Sequence, residues 1–342
     1  MIMKRLHICL FGILAILSSC AKTADVPLNE QKRQYLEDWI KRYPDAKKEN
    51  GCYILEDIPG DGAEYDASGS GYVFVNTIVR RLDGTVLSNS DEQMAMQLLG
   101  KDFSEADYYG PRALAIGEGS SYAGFDMMLG GMKEGGRRTA VIPSWLMTFS
   151  RFGSSEEYFA NESDNDPGLY TIIYHGQCKD ISQWEKEQIK EYADKNLPGA
   201  IGSSPKDAEF DLDQFLFLSR SAGENITMPI DTTVYINYTG RLLNGQVFDT
   251  TVAEIAAENK IYDKSKTYAP VPVKWGSLYT DLSMSGSTNL IKGFQAALYL
   301  MHPHEKASVV FTSTYGYSSS GSGTRIPGYA PLHFDIEIVD KL

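Results

Sequence analysis

Apolar and polar residues alternate through Val234-Tyr-Ile-Asn-Tyr238, with Val234, Ile236 and Tyr238 on one face and Tyr235 and Asn237 on the other. A period of two predicts a half-buried strand. Asn244-Gly245 supplies the positive-φ residues of a tight two-residue turn, and the chain returns through Val247-Phe-Asp249, bringing Phe248 and Asp249 back near Tyr238. The hairpin reads as the edge of an apolar, ligand-sized pocket in a sheet. Two other segments have helical spacing. Tyr35, Leu36, Trp39, Ile40 and Tyr43 recur on one face until Pro44 ends the run, and Trp184, Ile189, Tyr192 and Ala193 do the same before Pro198-Gly199. Each stripe is expected to pack on its own domain, and Gly199 to Pro205 reads as a linker.

The pattern occurs twice. Val73 to Ser90 aligns without a gap on Val234 to Thr251, with Asp83-Gly84 in place of Asn244-Gly245. Ser121 to Phe125 matches Leu290 to Phe294, and Met132 with Arg137 to Ile142 matches Met301 with Lys306 to Phe311. Duplication accounts for this long-range repeat. The expected fold class is α+β: two tandem domains, each an antiparallel twisted sheet wrapped on a short helix and each preceded by an amphipathic helix. The expected boundaries are a signal peptide at 1–19, a tether and helix at 20–50, a first domain at 51–180, a linker helix at 181–205 and a second domain at 206–342.

The N-terminus adds a location. Lys4 and Arg5 precede an apolar run from Ile8 to Leu17 that is too short to span a bilayer. It ends Leu17-Ser-Ser-Cys20, which resembles a bacterial lipobox and implies lipidation of Cys20. A lipid-anchored protein of the bacterial cell envelope, periplasmic or surface-exposed, is therefore expected. The 342-residue chain has a formal charge of −13, more negative once Lys4 and Arg5 leave, which argues against nucleic-acid binding by bulk electrostatics. Only Cys52 and Cys178 then remain; a disulfide and two separate thiols are both open, and their spacing is no zinc pattern.

With the hairpin, four later segments carry a resemblance. Asn289-Leu-Ile-Lys-Gly-Phe294, Glu305 to Phe311, Thr314-Tyr-Gly-Tyr317 and Ile326-Pro327 with Leu332 to Ile338 follow in order. Together these resemble the FKBP-type peptidyl-prolyl cis-trans isomerases over roughly residues 206 to 342. The resemblance implies a noncovalent isomerase of proline-containing polypeptides, with no cofactor and no metal. It makes Phe294 the pocket floor and Tyr238, Phe248 and Phe334 its walls. The Ile291 N–H and the Tyr317 hydroxyl would meet substrate carbonyls, Asp249 would orient polar groups, and Leu290, Ile326, Val271 and Val273 would complete the substrate contacts.

The first copy departs from the family at these positions. Thr77, Leu87 and Ser88 stand where Tyr238, Phe248 and Asp249 stand, and Ser144 to Thr148 replaces the tyrosine loop. It is expected to be a structural or protein-binding domain, with a rebuilt groove of Phe125, Trp145 and Phe149 as the alternative. In the second copy Phe294 replaces a Trp common in the family. Ala253 to Pro272 is longer than usual, and Ser277 to Thr288 reads as a mobile loop. A non-catalytic binding module remains the competing reading, and the sequence fixes neither a client nor an oligomeric state. No hydrolase elbow, Walker loop or zinc-protease motif occurs. His302-Pro-His304 reads as a solvated turn.

Overall fold

The computed structural model describes residues 27–68, 70–161, 165–196, 214–221, 223–224, 226–284 and 289–340. The expected signal peptide, Cys20 and the linker from Gly199 to Pro205 lie outside the described residues.

The first half holds helix α1 (Leu28–Ile40), strands β1 (Lys47–Glu49), β2 (Cys52–Ile58), β3 (Gly71–Arg80) and β4 (Val86–Asn89), and helix α2 (Glu92–Leu99). These are followed by β5 (Arg112–Ile116), α3 (Ala123–Leu129), β6 (Arg137–Ile142), α4 (Ser155–Asn161) and β7 (Gly168–Cys178). Helix α5 (Ile181–Asn196) leads to the second half. There the order is β8 (Phe215–Arg220), β9 (Thr233–Leu242), β10 (Val247–Thr250), α6 (Ala253–Glu258), β11 (Val271–Lys274), β12 (Ser283–Met284), α7 (Lys292–Tyr299), β13 (Lys306–Phe311) and β14 (Leu332–Val339). The first sheet begins at Lys47, ahead of the expected boundary at 51.

Two separate sheets result among the described residues, and they share one topology. The first runs β2-β6-β7-β3, with β4 and β5 both on β3; the second runs β8-β13-β14-β9, with β10 and β11 both on β9. All pairings are antiparallel. The repeat extends to register. Val86 faces Arg80 and Ser88 faces Val79 across a bulge, as Val247 faces Arg241 and Asp249 faces Gly240. The fold class is thus α+β with two copies of one sheet.

Each copy buries its short helix against the sheet. Phe294, Ala296, Ala297 and Leu298 of α7 join Ile236, Val309, Phe311 and Ile336 in one core, while Phe125, Met128 and Leu129 of α3 join Val73, Val75, Ala140 and Ile172 in the other. A glycine permits the close approach in each. A Cβ on Gly293 would lie 2.6 Å from the Phe311 ring, and one on Gly124 would lie 2.1 Å from Ile142.

Helix α1 lays Leu36 and Trp39 on Leu82 and Val141 of the first copy, with the Trp39 indole N–H donating to the Leu82 carbonyl at 2.6 Å. Helix α5 serves the second copy. Ile189 packs on Leu218 and Val310, and the buried Glu185 carboxylate accepts from the Ser313 N–H at 2.6 Å and its hydroxyl at 2.7 Å. The Tyr192 hydroxyl meets His333 Nδ1 at 2.8 Å. Beyond the sequence expectation, α5 also touches the first copy, where Trp184 lies 4.4 Å from the Phe74 ring. Cys52 and Cys178 are free thiols, with β6 lying between their strands. Burial pushes the Cys52 thiol up to about 12.

Candidate active site

The β9–β10 hairpin builds one side of a cavity of about 520 Å³ in the second copy. The register shift between Val247 and Asp249 is a bulge that places an extra residue, Phe248, on β10, which aims its ring inward and leaves it 6% exposed. Gly240 makes room for that ring. A Cβ there would sit 2.5 Å from Phe248 and 2.8 Å from Phe334, closer than any side-chain contact allows. The residue at the same register position in the first copy is Val79, and its bulged residue, Leu87, is 54% exposed.

Four rings then meet edge to face or tilted, the arrangement favoured by their quadrupoles. Phe294 lies 5.5 Å from Tyr238 and 5.2 Å from Phe334, and Phe248 lies 5.6 Å from Phe334. Tyr238, Phe248, Asp249, Leu290, Ile291, Phe294, Tyr317, Ile326 and Phe334 all line the cavity, so nine sequence-derived residues converge on it. Val271 and Val273 do not. Both are on β11, whose inward face meets the sheet core; Val273 is fully buried there, so neither reaches the cavity as expected.

The polar groups divide into occupied and free. Tyr238 donates its hydroxyl to Asp249 Oδ2 at 2.6 Å, and Lys266 pairs with the other carboxylate oxygen, which also accepts from the Thr250 N–H at 3.0 Å. Burial, with the adjacent Asp249 charge and this hydrogen bond, holds the Tyr238 phenol well above its ordinary range. Burial, and then Asp249, raises Tyr317 in the same direction. The Tyr317 hydroxyl and the Ile291 N–H, which sits at the N-cap of α7, have no hydrogen-bond partner among the described residues. Both are available to carbonyls of a bound chain.

Three contributors carry no periodic signal in the sequence. Lys266 comes from the long insertion after β10, which packs beside the cavity through α6. Met284 of β12 lines the cavity, and its strand pairs with β11, so this part of the segment read as a mobile loop has regular structure. The flap from Ser322 to Arg325 forms the opposite rim. Only the Ile326-Pro327 pair beside it was legible.

In the first copy a loop of the chain itself runs beside the corresponding helix N-terminus. The N–H of Ala123, the counterpart of Lys292, donates to the Thr148 carbonyl at 2.9 Å, and the Phe149 ring lies 4.7 Å from the ring of Tyr122, the counterpart of Ile291. Arg151 fixes that loop through Asp126 at 2.6 Å and the carbonyls of Ser121 and Phe149 at 3.0 Å each. Phe125 and Trp145 belong to or pack on the core. Thr77, Leu87 and Ser88 supply no aromatic wall and no acid.

A duplicated antiparallel sheet wrapped on a short helix, with an aromatic cavity between the helix and a bulged hairpin, defines the class. The model of the FKBP-type peptidyl-prolyl cis-trans isomerase family matches residues 280–339. FK506-binding protein 1 of Kluyveromyces lactis is 31% identical over 126 residues, covering 37% of this chain and 90% of that protein. The probable FKBP-type peptidyl-prolyl cis-trans isomerase of Haemophilus influenzae is 29% identical over 154 residues, covering 45% of this chain and 53% of that one. Among solved structures, the three FKBP domains of wheat FKBP73 align over 85% of this chain and 94% of theirs, at 17% identity and a TM-score of 0.28. The chain belongs to the FKBP-type peptidyl-prolyl cis-trans isomerase family. It spans about half the length of the first curated relatives it matches, 53% and 50%.

Proposed function

We propose that the chain catalyses cis-trans isomerisation of X-Pro bonds in polypeptides, in the cavity of the second copy, without covalent chemistry. Rotation about a peptide bond costs about 20 kcal/mol because it breaks amide resonance, while the two X-Pro isomers are nearly balanced. A catalyst need only bind the twisted amide better than either planar form. An apolar cavity favours the twisted form, whose carbonyl is less dipolar and loses less on leaving water. Phe294 would support the proline ring between Tyr238, Phe248 and Phe334, and the Ile291 N–H and Tyr317 hydroxyl would hold flanking carbonyls. Asp249, already bonded to Tyr238 and Lys266, sets the field at the twisting amide and fixes the Tyr238 ring.

The observation that carries this reading is the coincidence of four converging rings with two unengaged donors in one open cavity. A protease-coupled assay on an Ala-Xaa-Pro-Phe peptide tests it, comparing the wild type with Tyr238→Ala and Asp249→Ala. The wild type is expected to exceed the uncatalysed rate and both variants to fall toward it. A wild type at background would sink the enzyme reading, and chaperone activity surviving both substitutions would favour a binding module.

The clients proposed are envelope proteins, because Leu17-Ser-Ser-Cys20 closes the N-terminal apolar run. Lipidation at Cys20 would tether the chain to a membrane. Cys20→Ser should release it from the membrane fraction, and unchanged partition would refute the anchor.

A further inference from the structure

The tip of the flap, Gly323 to Arg325, makes no main-chain hydrogen bond within its own copy among the described residues. Its base is closed by paired Ser322 and Ile326, whose main chains exchange bonds of 2.8 and 3.2 Å. Gly321 and Gly323, both in the left-handed region at φ of 63° and 54°, give the loop its turns. Within the second copy the tip has one hydrogen-bonded anchor among the described residues, from the Arg325 guanidinium to the Phe248 carbonyl at 3.1 Å, beside a charge interaction of Arg325 with Asp263. Such a loop is not fixed by its own sequence.

The remaining anchors come from the first copy. The Tyr108 N–H donates to the Thr324 carbonyl at 2.9 Å, and the Thr324 hydroxyl donates to Asp107 Oδ1 at 2.6 Å. The same short segment grips the opposite rim, where Gln246 of the hairpin turn donates to the carbonyls of Ala106 at 2.9 Å and Asp107 at 3.1 Å. Ala106 is buried with Val247, Ala256 and Ile261, and the Tyr108 ring packs against the core of the second copy. Glu105 pairs with Lys260 on the outside. Three consecutive residues, Ala106 to Tyr108, of the copy that lacks the aromatic pocket thus touch both rims of the one that has it.

We infer that the segment Glu105 to Tyr108 is a positioning element for the cavity of the second copy, with Asp107 as the positioning residue that holds the flap tip through Thr324. The inference rests on the cavity being the proline site. Its physical basis is preorganisation: a tip held before the peptide arrives does not have to be ordered on binding, so that entropy is not subtracted from affinity. The segment acts before chemistry and touches no reacting atom. Its loss therefore weakens capture of proline peptides whose flanking residues lie under the flap, and leaves the turnover step alone.

The test uses the full chain with the double substitution Asp107→Ala/Gln246→Ala, both residues lying outside the cavity lining. We expect KM for the Ala-Xaa-Pro-Phe peptide to rise about threefold to tenfold with kcat unchanged, the range set by losing one or two hydrogen bonds. Amide hydrogen exchange at residues 322–326 should accelerate in step. Asp107→Asn keeps an acceptor for Thr324 and should stay within twofold of wild type on both measures. A merely structural role would leave KM unmoved below the unfolding transition. Wild-type KM and wild-type flap exchange in the double variant overturn the inference, as does a loss confined to kcat. If the wild-type chain shows no isomerisation, the proposed function falls by itself. The exchange data then decide the clamp alone, acceleration upholding it and no change removing it.

Discussion

Gly240→Ala adds a single methyl at the point where two cavity walls approach the β9 backbone. The new Cβ would lie 2.5 Å from Phe248 and 2.8 Å from Phe334. Carbon contacts are at their optimum near about 3.5–4.0 Å, so each ring has to withdraw by about 1 Å. Overpacking of this kind costs about 1–3 kcal/mol. Reduced freedom of the unfolded chain offsets about 0.5 kcal/mol of that, leaving a net destabilisation of about 0.5–2.5 kcal/mol. Catalysis should suffer more than stability, because a displacement of about 1 Å in a positioning group can cost about a hundredfold. The expected result is kcat/KM on the Ala-Xaa-Pro-Phe peptide lowered by about tenfold to a hundredfold, while urea unfolding shows a folded protein. Wild-type kcat/KM in this variant would refute the claim that Phe248 and Phe334, held where Gly240 allows, shape the site.

Two further outcomes are expected. Tyr317→Phe removes a hydroxyl with no partner among the described residues, so stability should change by less than about 0.5 kcal/mol. kcat/KM on the same peptide should still fall about threefold to tenfold, through loss of one hydrogen bond to substrate. Asp335 on the outer face of the second sheet is raised by burial, but hydrogen bonds from His333 and Ser308 and the charges of His333 and Arg241 outweigh this and hold it at about 2. Its folded value lies below its unfolded one. The stability it supplies is therefore complete above about pH 4 and lost as pH falls through about 2. Because the side chain is partly exposed, the contribution is discounted to about 1 kcal/mol. Urea midpoints from pH 5 to pH 2 should thus fall more steeply for wild type than for Asp335→Asn, and parallel curves would contradict the assignment.

The hairpin, the duplication and most of the pocket were legible because each rests on local chemistry. A period of two and a turn glycine specify the β9–β10 hairpin wherever it sits, although Leu242 and Gln246 close a three-residue loop in which Gly245 and not Asn244 takes a positive φ, in place of the two-residue turn expected. The aligned repeat carried the same register, bulge included, into the first copy. Val271 and Val273 were misplaced for a related reason. Alternation puts Val273 on the inward face, but an inward face can meet the core as well as the cavity, and which it meets depends on where α7 lies across the sheet. Lys266 and the segment Glu105 to Tyr108 act through long-range contacts between loops, which follow no period. Val79 opposite Gly240 is visible in the aligned repeat. Its consequence lies in ring contacts that the pattern does not encode.

The aromatic cavity, built by one copy and not by the other, separates the two domains thermodynamically. In the first copy Thr77, Leu87 and Ser88 stand where the second has two ring walls and the acid, so a ligand of such a cavity finds no equivalent there. The stability of the first copy is therefore the same whether such a ligand is scarce or abundant. The open cavity of the second copy is stabilised by mass action, gaining as its ligand concentration climbs above Kd. A proline-pocket ligand should accordingly titrate the chain at one equivalent and raise the melting temperature of one domain only.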